Sequence, residues 1–387
     1  MTDKRSISYR FKQNRPAYFG ALFILLLVVV ASLGAYVRPD SSKDANMQQL
    51  SIARSPIGAT YSMLKVSRNQ PTEHHWASGF FFGGLANDLE VVYDSLSYSV
   101  DGLTTFWKGN ALGTYSLADI CYPLQQGSYS FKEGMASFDT VDGRSLSLSI
   151  EALKTEVESN RCIERRFLLG TDSLGRDLLS RLMAGIIVSL SVGLISVLIS
   201  LTIGITLGAI AGYFRGWVDE VVMWLINVIW SIPTLLMVIA ITLVLGKGFV
   251  QVFIAVGLTM WVEVARIVRG QFISLREAAF IEAGRSMGFS HSRLMLRHML
   301  PNAMGPVIVI SAANFASAIL IEAGLSFLGI GTQIPMASWG TMIKEHYGYI
   351  TTDLAYLAYL PGLCITALVL AFTLVGNGLR DALDVRN

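Results

Sequence analysis

Residues 282–301 read EAGRSMGFSHSRLMLRHMLP, a polar, arginine-rich segment between two apolar stretches. This segment predicts two short helices with a break, because Glu282 suits a first helical turn, Gly288 permits a bend, and Pro301 fits the start of the next apolar helix. Such an elbow would project from a membrane into the surrounding water. Its unpaired backbone N–H groups and three arginines favour a protein partner in water, although an ordinary basic cytoplasmic loop would have similar charges.

The composition indicates a polytopic membrane protein. Of the 387 residues, 52% are hydrophobic and only 15% are charged, and the mean hydropathy is +0.51. The net charge of +2 gives no indication of a nucleic-acid partner. We therefore expect an all-α membrane protein with the elbow on its cytoplasmic side.

Six stretches are long enough to cross a hydrocarbon core, which takes about 20 apolar residues. They lie near 17–37, 185–212, 220–245, 249–268, 303–329 and 357–377. The first resembles a signal peptide in its basic flank. However, its apolar run is long and SLGAYVRPD at 32–40 is a poor cleavage site, so we favour an uncleaved anchor.

The lysines and arginines predict the orientation. The basic residues before the first span share one face with those of the elbow and of the C-terminal end, whereas the opposite short loops contain Lys247 and Lys344. The elbow and both termini are therefore expected to be cytoplasmic. Four arginines precede the second span on the outer side, but the segment that they end is long enough to escape this rule. They are Arg165, Arg166, Arg176 and Arg181.

The segment 38–168 is the candidate soluble domain, an α+β insertion between the first two spans. Residues 137–141 and 144–150 flank Asp142-Gly143 and alternate apolar residues with serines, which predicts a hairpin with a tight primed turn. Aromatic residues suitable for a small core are Trp76, Phe80, Phe81, Tyr93, Phe106 and Trp107. The predicted parts are thus 1–37, this insertion, a membrane core at 169–380 with the elbow at 276–301, and a tail at 381–387.

Cys121 and Cys162 are the only cysteines of the insertion. In an oxidising outer compartment we expect a disulfide between them, and the alternative is two separate buried thiols. Cys364 lies in the last span, where packing is the simpler role. No C-x-x-C pair or His/Cys cluster indicates a metal site.

Several intramembrane residues are candidates for helix packing or for the transport path. Gly204, Gly208 and Gly212 recur every four residues, which favours close helix packing. Pro233 is expected to kink or interrupt the third span. Glu322 in the fifth span is a candidate for the path together with Asn227 and Pro233, and the alternative for Glu322 is a structural hydrogen bond to neighbouring backbone. Glu263 and Arg266 are spaced for an interfacial ion pair.

No energy-converting or catalytic motif is visible. The chain lacks a G-x-x-x-x-G-K-[ST] loop, a nucleophile elbow and a metalloprotease motif. We therefore expect a protein that is not an enzyme and that holds no cofactor itself. If transport is driven by ATP, the nucleotide and its Mg²⁺ belong to a separate ATPase chain.

The spacing of the elbow resembles the EAA loop of bacterial ABC-importer permeases. That pattern is E-A-A, three residues, G, nine residues, I, one residue, L-P. The matching residues are Glu282, Ala283, Gly288, Leu300 and Pro301, while Gly284 replaces the second Ala and His298 replaces the Ile. The resemblance implies that the elbow, including Gly284, is a coupling helix seated on an ATPase.

Five further motifs resemble the C-type permease of dipeptide and oligopeptide importers. They are LGTDSLGRD at 169–177, GYFRGWVDEVVM at 212–223, EAGLSFLGIG at 322–331, ASWGTM at 337–342 and GLRDALD at 378–384. The resemblance implies a subunit of the bacterial cytoplasmic membrane that pairs with a B-type permease. Two cytoplasmic ATPases would drive this pair by alternating access, and an extracytoplasmic binding protein would deliver peptide.

Departures from the family pattern leave the substrate open. Trp224 and Asn227 stand where an Arg and an Asp are common, and Asn377 and Val385 replace the usual Asp and Pro. The insertion, which is outside the common core, could dock the binding protein or cover the outer gate. An ion-coupled secondary transporter and a membrane receptor with an outer sensing domain remain alternatives, from which co-purification of an ATPase would distinguish the leading hypothesis.

Overall fold

A computed structural model of the chain describes residues 7–69 and 88–383. It divides into two compact units. The helical unit comprises Met1–Val30, Gly185–Ile350 and Ala358–Asn387, and the sheet unit comprises Ala31–Ala184 and Thr351–Leu357. The described residues of the predicted insertion all belong to the sheet unit, and Trp76, Phe80 and Phe81 lie outside the described residues.

The predicted membrane spans all fall on helices of the structure. Within the described residues the helices are α1 (Ile7–Gln13), α2 (Arg15–Leu33), α3 (Leu117–Cys121), α4 (Ile150–Glu156), α5 (Leu178–Phe214), α6 (Gly216–Trp230), α7 (Thr234–Leu245), α8 (Phe249–Arg276), α9 (Ala279–Ser286), α10 (His291–Leu328), α11 (Trp339–His346) and α12 (Tyr356–Leu383). Helices α2, α5, α8, α10 and α12 are long and apolar enough to cross a membrane, and α6 with α7 forms a sixth candidate span with a bend of 90°.

The bend between α6 and α7 confirms the interruption predicted at Pro233. Pro233 has no N–H to donate and would clash with the carbonyl four residues before it in a continuous helix. Helix α6 instead closes with a bond from the Ser231 N–H to the Asn227 carbonyl (3.0 Å), and Pro233 caps α7. The third predicted span is therefore two short helices rather than one long helix.

The glycine stripe of α5 lies directly against the backbone of α8, as predicted. A methyl group built on Gly204, Gly208 or Gly212 would meet main-chain or Cβ atoms of α8 closer than contact distance, and at Gly208 the nearest atom is the Ala265 carbonyl oxygen. Residues without a Cβ thus allow the two helix axes to approach closely. This contact fixes the position of α8 and of its residues described below.

The sheet unit has three small antiparallel sheets around its own core. Its strands are β1 (Thr60–Ser67), β2 (Asp88–Tyr93), β3 (Ser95–Tyr98), β4 (Gly102–Trp107), β5 (Asn110–Ser116), β6 (Ser130–Lys132), β7 (Met135–Asp139), β8 (Ser145–Ser149) and β9 (Cys162–Arg166). The strand orders are β2-β1-β9, β3-β4-β5 and β6-β7-β8. Side chains from several strands and from α3 and α4 bury a shared apolar cluster that includes Leu64, Leu103 and Phe138.

The hairpin predicted around Asp142-Gly143 is confirmed, but its predicted turn type is wrong. Strands β7 and β8 pair with Asp139 opposite Ser145, so the loop is longer than two residues. Of the loop residues only Gly143 has a positive φ (80°), and the Gly143 N–H donates to the Thr140 carbonyl at 2.9 Å. Both primed turn types need a positive φ at the first central residue, here Asp142, which is not among the residues with positive φ, whereas an ordinary turn followed by a left-handed glycine fits these bonds.

The predicted disulfide between Cys121 and Cys162 is absent, because both cysteines are free thiols. The Cys121 Sγ is buried and lies 3.9 Å from the Leu153 carbonyl oxygen, to which it donates. Cys162 stands on β9 at the edge of the same apolar cluster. Each sulfur thus packs separately, which is the alternative stated for this pair.

The motif at 169–177 forms a turn stabilised by buried ion pairs. The Arg176 Nε donates to the Asp172 carboxylate at 2.6 Å, and both side chains are fully buried. Gly170 and Gly175 have positive φ, and a methyl group on either would clash with the backbone of Ser55 or Gln49. The motif therefore fixes residues 49–55 to the start of α5. The sheet unit includes these residues, the motif and the first turn of α5.

Candidate functional site

The elbow begins with α9, whose two faces differ. Ile281 and Gly284 are buried, while Phe280 and Met287 are 48% and 66% exposed and Glu282 is also exposed. The helix starts three residues before Glu282, so this carboxylate stands in the first turn near the positive end of the helix dipole. One face of α9 is thus held by the protein, and the other presents apolar side chains and an acid.

Gly288 makes the bend that the sequence predicts. Its φ is 76°, the left-handed region that only glycine enters readily. The Phe289 N–H donates to the Gly284 carbonyl at 3.0 Å, and the Gly288 N–H donates to the Arg285 carbonyl at 2.9 Å. These two bonds are the Schellman pattern that ends a helix, so the direction of the chain after α9 depends on this residue.

The two departures from the EAA pattern meet at one aromatic ring. A methyl group on Gly284 would lie 3.2 Å from the Phe289 ring and 2.9 Å from Leu294. The His298 ring stacks on Phe289 at 5.6 Å between centroids, with an angle of 18° between the planes. The two positions that depart from the pattern thus pack against the same ring from different parts of the elbow.

The second part of the elbow differs from its prediction. Residues after Ser290 continue without interruption into the apolar helix α10 (His291–Leu328), rather than forming a separate short helix. The turn at Leu294–Met299 is widened to a π-helix, and Pro301, which follows it, has no N–H for the carbonyl of Arg297. Pro301 is in the first turn of the segment Leu300–Leu328, as predicted.

Polar and aromatic contacts attach the elbow to the helical unit. The Tyr213 hydroxyl at the end of α5 lies 2.7 Å from His291 Nδ1. Ile281, Leu294 and Met299 are fully buried in an apolar cluster with residues of α5 and α8. The exposed arginines of the elbow, Arg285, Arg293 and Arg297, lie around this attachment. The elbow is therefore a fixed element that can transmit a displacement to α10.

An ion pair stabilises the neighbouring end of the helical unit. The Arg269 Nη2 donates to the Asp219 Oδ2 at 2.7 Å, and the Arg269 Nε bonds the other carboxylate oxygen. Asp219 belongs to the family-like stretch at 212–223, and this bidentate pair fixes the start of α6 to α8. Sequence patterns alone did not identify this pair, because its members are 50 residues apart.

Glu322 lies inside a cluster of hydroxyl groups. Its side chain is fully buried, and its Oε1 accepts from Ser326 Oγ at 2.7 Å. Thr332, Ser338 and Thr341 continue the network, with Thr332 Oγ1 donating to Ser338 Oγ at 2.8 Å. This arrangement favours the hydrogen-bonding alternative for Glu322, with side-chain rather than backbone partners, since a buried carboxylate needs such donors.

Asn227 and Pro233 are both exposed at the break of the third span. A cavity of about 340 Å³ lies against this break and is lined by residues of α6, α7, α8 and α10. Its polar walls are Thr234, Thr259, Glu263 and Ser317. The break at Pro233 thus borders a cavity through its neighbours Ile232 and Thr234, whereas none of Pro233, Asn227 and Glu322 is among the lining residues.

The ion pair predicted between Glu263 and Arg266 is wrong. The Arg266 guanidinium lies over the Trp230 ring at 3.4 Å from its centroid, and the described residues place no cation within ion-pair distance of the exposed Glu263 carboxylate. An acid inside an apolar membrane span is costly when lipid surrounds it. Glu263 is therefore a candidate functional residue, although its spacing from Arg266 predicts an ordinary ion pair.

Comparison with known proteins identifies relatives of the helical part of the chain. A family model described as a binding-protein-dependent transport system inner membrane component matches residues 204–387. The glutathione transport system permease protein GsiD of Pectobacterium atrosepticum is 41% identical over 216 residues, which cover 56% of this chain and 71% of the relative.

Two further proteins are similar to this chain. The oligopeptide transport system permease protein OppC of Bacillus subtilis is 41% identical over 216 residues, which cover 56% of this chain and 70% of the relative. A solved inward-facing structure of the MetNI methionine ABC transporter is 19% identical, with a TM-score of 0.45, and the match covers 52% of this chain and 95% of that one.

Proposed function

The chain belongs to the family of binding-protein-dependent transport system inner membrane components, and we propose that it forms one half of the membrane path of an ATP-driven peptide importer. Two relatives at 41% identity are permeases for glutathione, itself a tripeptide, and for oligopeptides. Both names support a peptide as the substrate of this chain. The family-like motifs at 169–177, 322–331 and 337–342 support the same assignment.

The open face of α9 carries the proposal. Ile281 and Gly284 attach this helix to the protein, while Phe280, Glu282 and Met287 are free to contact a partner. Exposed apolar side chains beside a charge are typical of a protein interface rather than of a solvated loop. We infer that the partner is a cytoplasmic ATPase, that the elbow and both termini are cytoplasmic, and that the bent α6–α7 pair counts as one of six spans.

The mechanism is alternating access. Closure of the ATPase pair on ATP and Mg²⁺ pulls on α9, and the contacts of Ile281 and Leu294 convey this displacement to α8 and α10. The helices then rotate so that the path opens outward, and hydrolysis resets them. This chain contributes no catalytic group, since the chemistry occurs on the ATPases.

A second permease of B-type and an extracytoplasmic binding protein complete the proposed complex, and the sheet unit is the proposed docking site of the binding protein. Replacing residues 95–160 with a short Gly/Ser linker tests this role. Strands β2 and β9 flank β1, so the linker spans about 10 Å, and residues 49–55 stay in place. Unchanged association with the binding protein would reject docking.

Purification of the chain with its native partners in mild detergent tests the main proposal. We expect an ATPase to co-purify, and we expect Glu282→Lys to release it or to uncouple its activity from transport. Glu220→Lys is the matched control, because Glu220 is also an exposed acid but lies on α6 outside the elbow.

Two outcomes would contradict the proposal. An intact chain that brings no ATPase would favour an ion-coupled secondary transporter, for which uptake follows an ion gradient. Equal loss of ATPase with Glu282→Lys and with Glu220→Lys would show a general effect of charge, and it would leave no special role for the elbow.

A further inference from the structure

The cavity beside the break of the third span has the features of a ligand site. Its volume of about 340 Å³ lies within the range of small-molecule pockets. Apolar residues of α6, α8 and α10 form most of its wall, and polar groups converge on it from three helices: Thr234 of α7, Thr259 and Glu263 of α8, and Ser317 of α10. A largely apolar cavity with a few convergent polar groups is the usual form of a binding site.

Glu263 is the only charged residue among the residues that line this cavity. Arg266, the nearest cation by sequence spacing, is held over the Trp230 ring at 3.4 Å. Its side chain lines a separate cavity of about 580 Å³ together with Arg380. The carboxylate therefore faces its cavity without a positive partner among the described residues, and the group that it would bind is a cation.

The position of Glu263 disfavours a simple lipid-facing role. It lies inside the predicted span 249–268, five residues before the end of that span, on the helix α8 that continues to Arg276. A carboxylate there is costly in hydrocarbon and is retained where it faces protein or a water-filled path. The flanking break supports the path, because irregular backbone at membrane depth occurs where it lines a cavity.

We propose that Glu263 binds the α-ammonium group of a peptide as it passes through this subunit, with Thr234, Thr259 and Ser317 as additional hydrogen-bonding groups. This assignment rests on the proposed function of peptide import. A free peptide amino group is a cation with three N–H donors, which matches one carboxylate and nearby hydroxyl acceptors. The volume exceeds what a single ammonium fills and accommodates the first residue of the peptide.

The test compares uptake of tri-alanine with that of N-acetyl-tri-alanine by the full reconstituted complex, in the wild type, Glu263→Gln, Glu263→Asp and Glu220→Gln. The binding protein is the same in all four complexes. Dividing each variant's ratio of uptake rates by the wild-type ratio therefore removes the binding protein's own preference between the two peptides. We expect Glu263→Gln to reduce the preference for the free amine about tenfold, as loss of a charged hydrogen bond implies. Glu263→Asp should retain part of the preference, and Glu220→Gln should retain all of it.

Each contrary result has a distinct meaning. If the wild type transports both peptides equally, or if Glu263→Gln transports them with the wild-type preference, the assignment of Glu263 is overturned and peptide import stands. If Glu263→Gln prevents assembly with the second permease while Glu263→Asp restores it, the carboxylate binds a cation of that subunit and the assignment is likewise overturned. If the wild type with its ATPases transports neither peptide, the proposed function fails along with it.

Discussion

Substitution of Gly288 tests whether the bend of the elbow transmits motion. A methyl group built on Gly288 would meet no atom within 4 Å, so the cost of a side chain is conformational and not steric. The φ of 76° lies in the left-handed region, which costs a residue with a Cβ about 1–2 kcal/mol. That free energy corresponds to a loss of about 5- to 30-fold in the population of the bent elbow.

The expected order of the variants follows from this cost. Gly288→Asn should be mildest, because Asn tolerates the left-handed conformation. Gly288→Ala should be intermediate, and Gly288→Val should be the most severe, since a β-branched residue is a strong outlier there. The assay is peptide uptake and binding-protein-stimulated ATPase activity of the reconstituted complex, with the membrane-inserted amount of each variant measured in parallel.

Gly348→Ala is the matched control. Gly348 also has open space around it, and its φ is not positive, so this variant should retain wild-type coupling. Normal uptake by Gly288→Val would refute the coupling role of the bend. If Gly288→Asn is as impaired as Gly288→Val, side-chain bulk at the partner surface is responsible, and the reasoning from backbone conformation is wrong.

Three further predictions concern packing, an ion pair and a buried thiol. Gly208→Ala should destabilise the complex by about 1–3 kcal/mol in thermal unfolding, because the methyl group would clash with the Ala265 carbonyl; an unchanged midpoint would contradict the close contact of α5 with α8. Asp219→Asn should cost about 1.5–3 kcal/mol by weakening the bidentate bond from Arg269, and equal stability would show that the pair contributes nothing. Burial raises the pKa of the Cys121 thiol from 9.0 to about 12. The free energy of unfolding should therefore fall as pH rises from 9 towards 12, because in this range only the unfolded chain has lost the proton. Unfolding curves at each pH measure this fall, and Cys121→Ala should flatten it.

The bend of the elbow could be predicted from the sequence because its determinant is local. Gly288 has a left-handed φ, a conformation that favours glycine, and the break at Pro233 follows from a missing N–H. The continuous helix after Ser290 was not predicted, and neither was the proximity of Gly284 and His298 to the same Phe289 ring. Spacing indicates which residues differ from a pattern, but only packing shows that two of them lie at the same ring.

The errors in the sheet unit have the same origin. Asp142-Gly143 suits a primed turn when considered alone, yet the pairing of Asp139 with Ser145 sets a longer loop. The two cysteines of the insertion were expected to pair because of their number and compartment. Pairing also requires that their Cβ atoms meet, and that geometry depends on how the two cysteines pack in the shared apolar cluster rather than on any local pattern.

The acids of the membrane helices show how partners decide the role of a charge. Glu322 and Glu263 are both costly in an apolar helix, and the sequence made Glu322 a candidate for the path, with a structural hydrogen bond as the alternative, while it assigned Glu263 to an ion pair. In the fold, the Ser326 hydroxyl donates to one oxygen of the buried Glu322 carboxylate, whereas the arginine that would have paired with Glu263 lies over the Trp230 ring. Glu322 is fully buried and is not among the residues that line the cavity beside the break, while Glu263 lines that cavity and has no cation within ion-pair distance among the described residues. We therefore propose the transport role for Glu263 rather than for Glu322, and this choice rests on contacts that join residues far apart in the sequence.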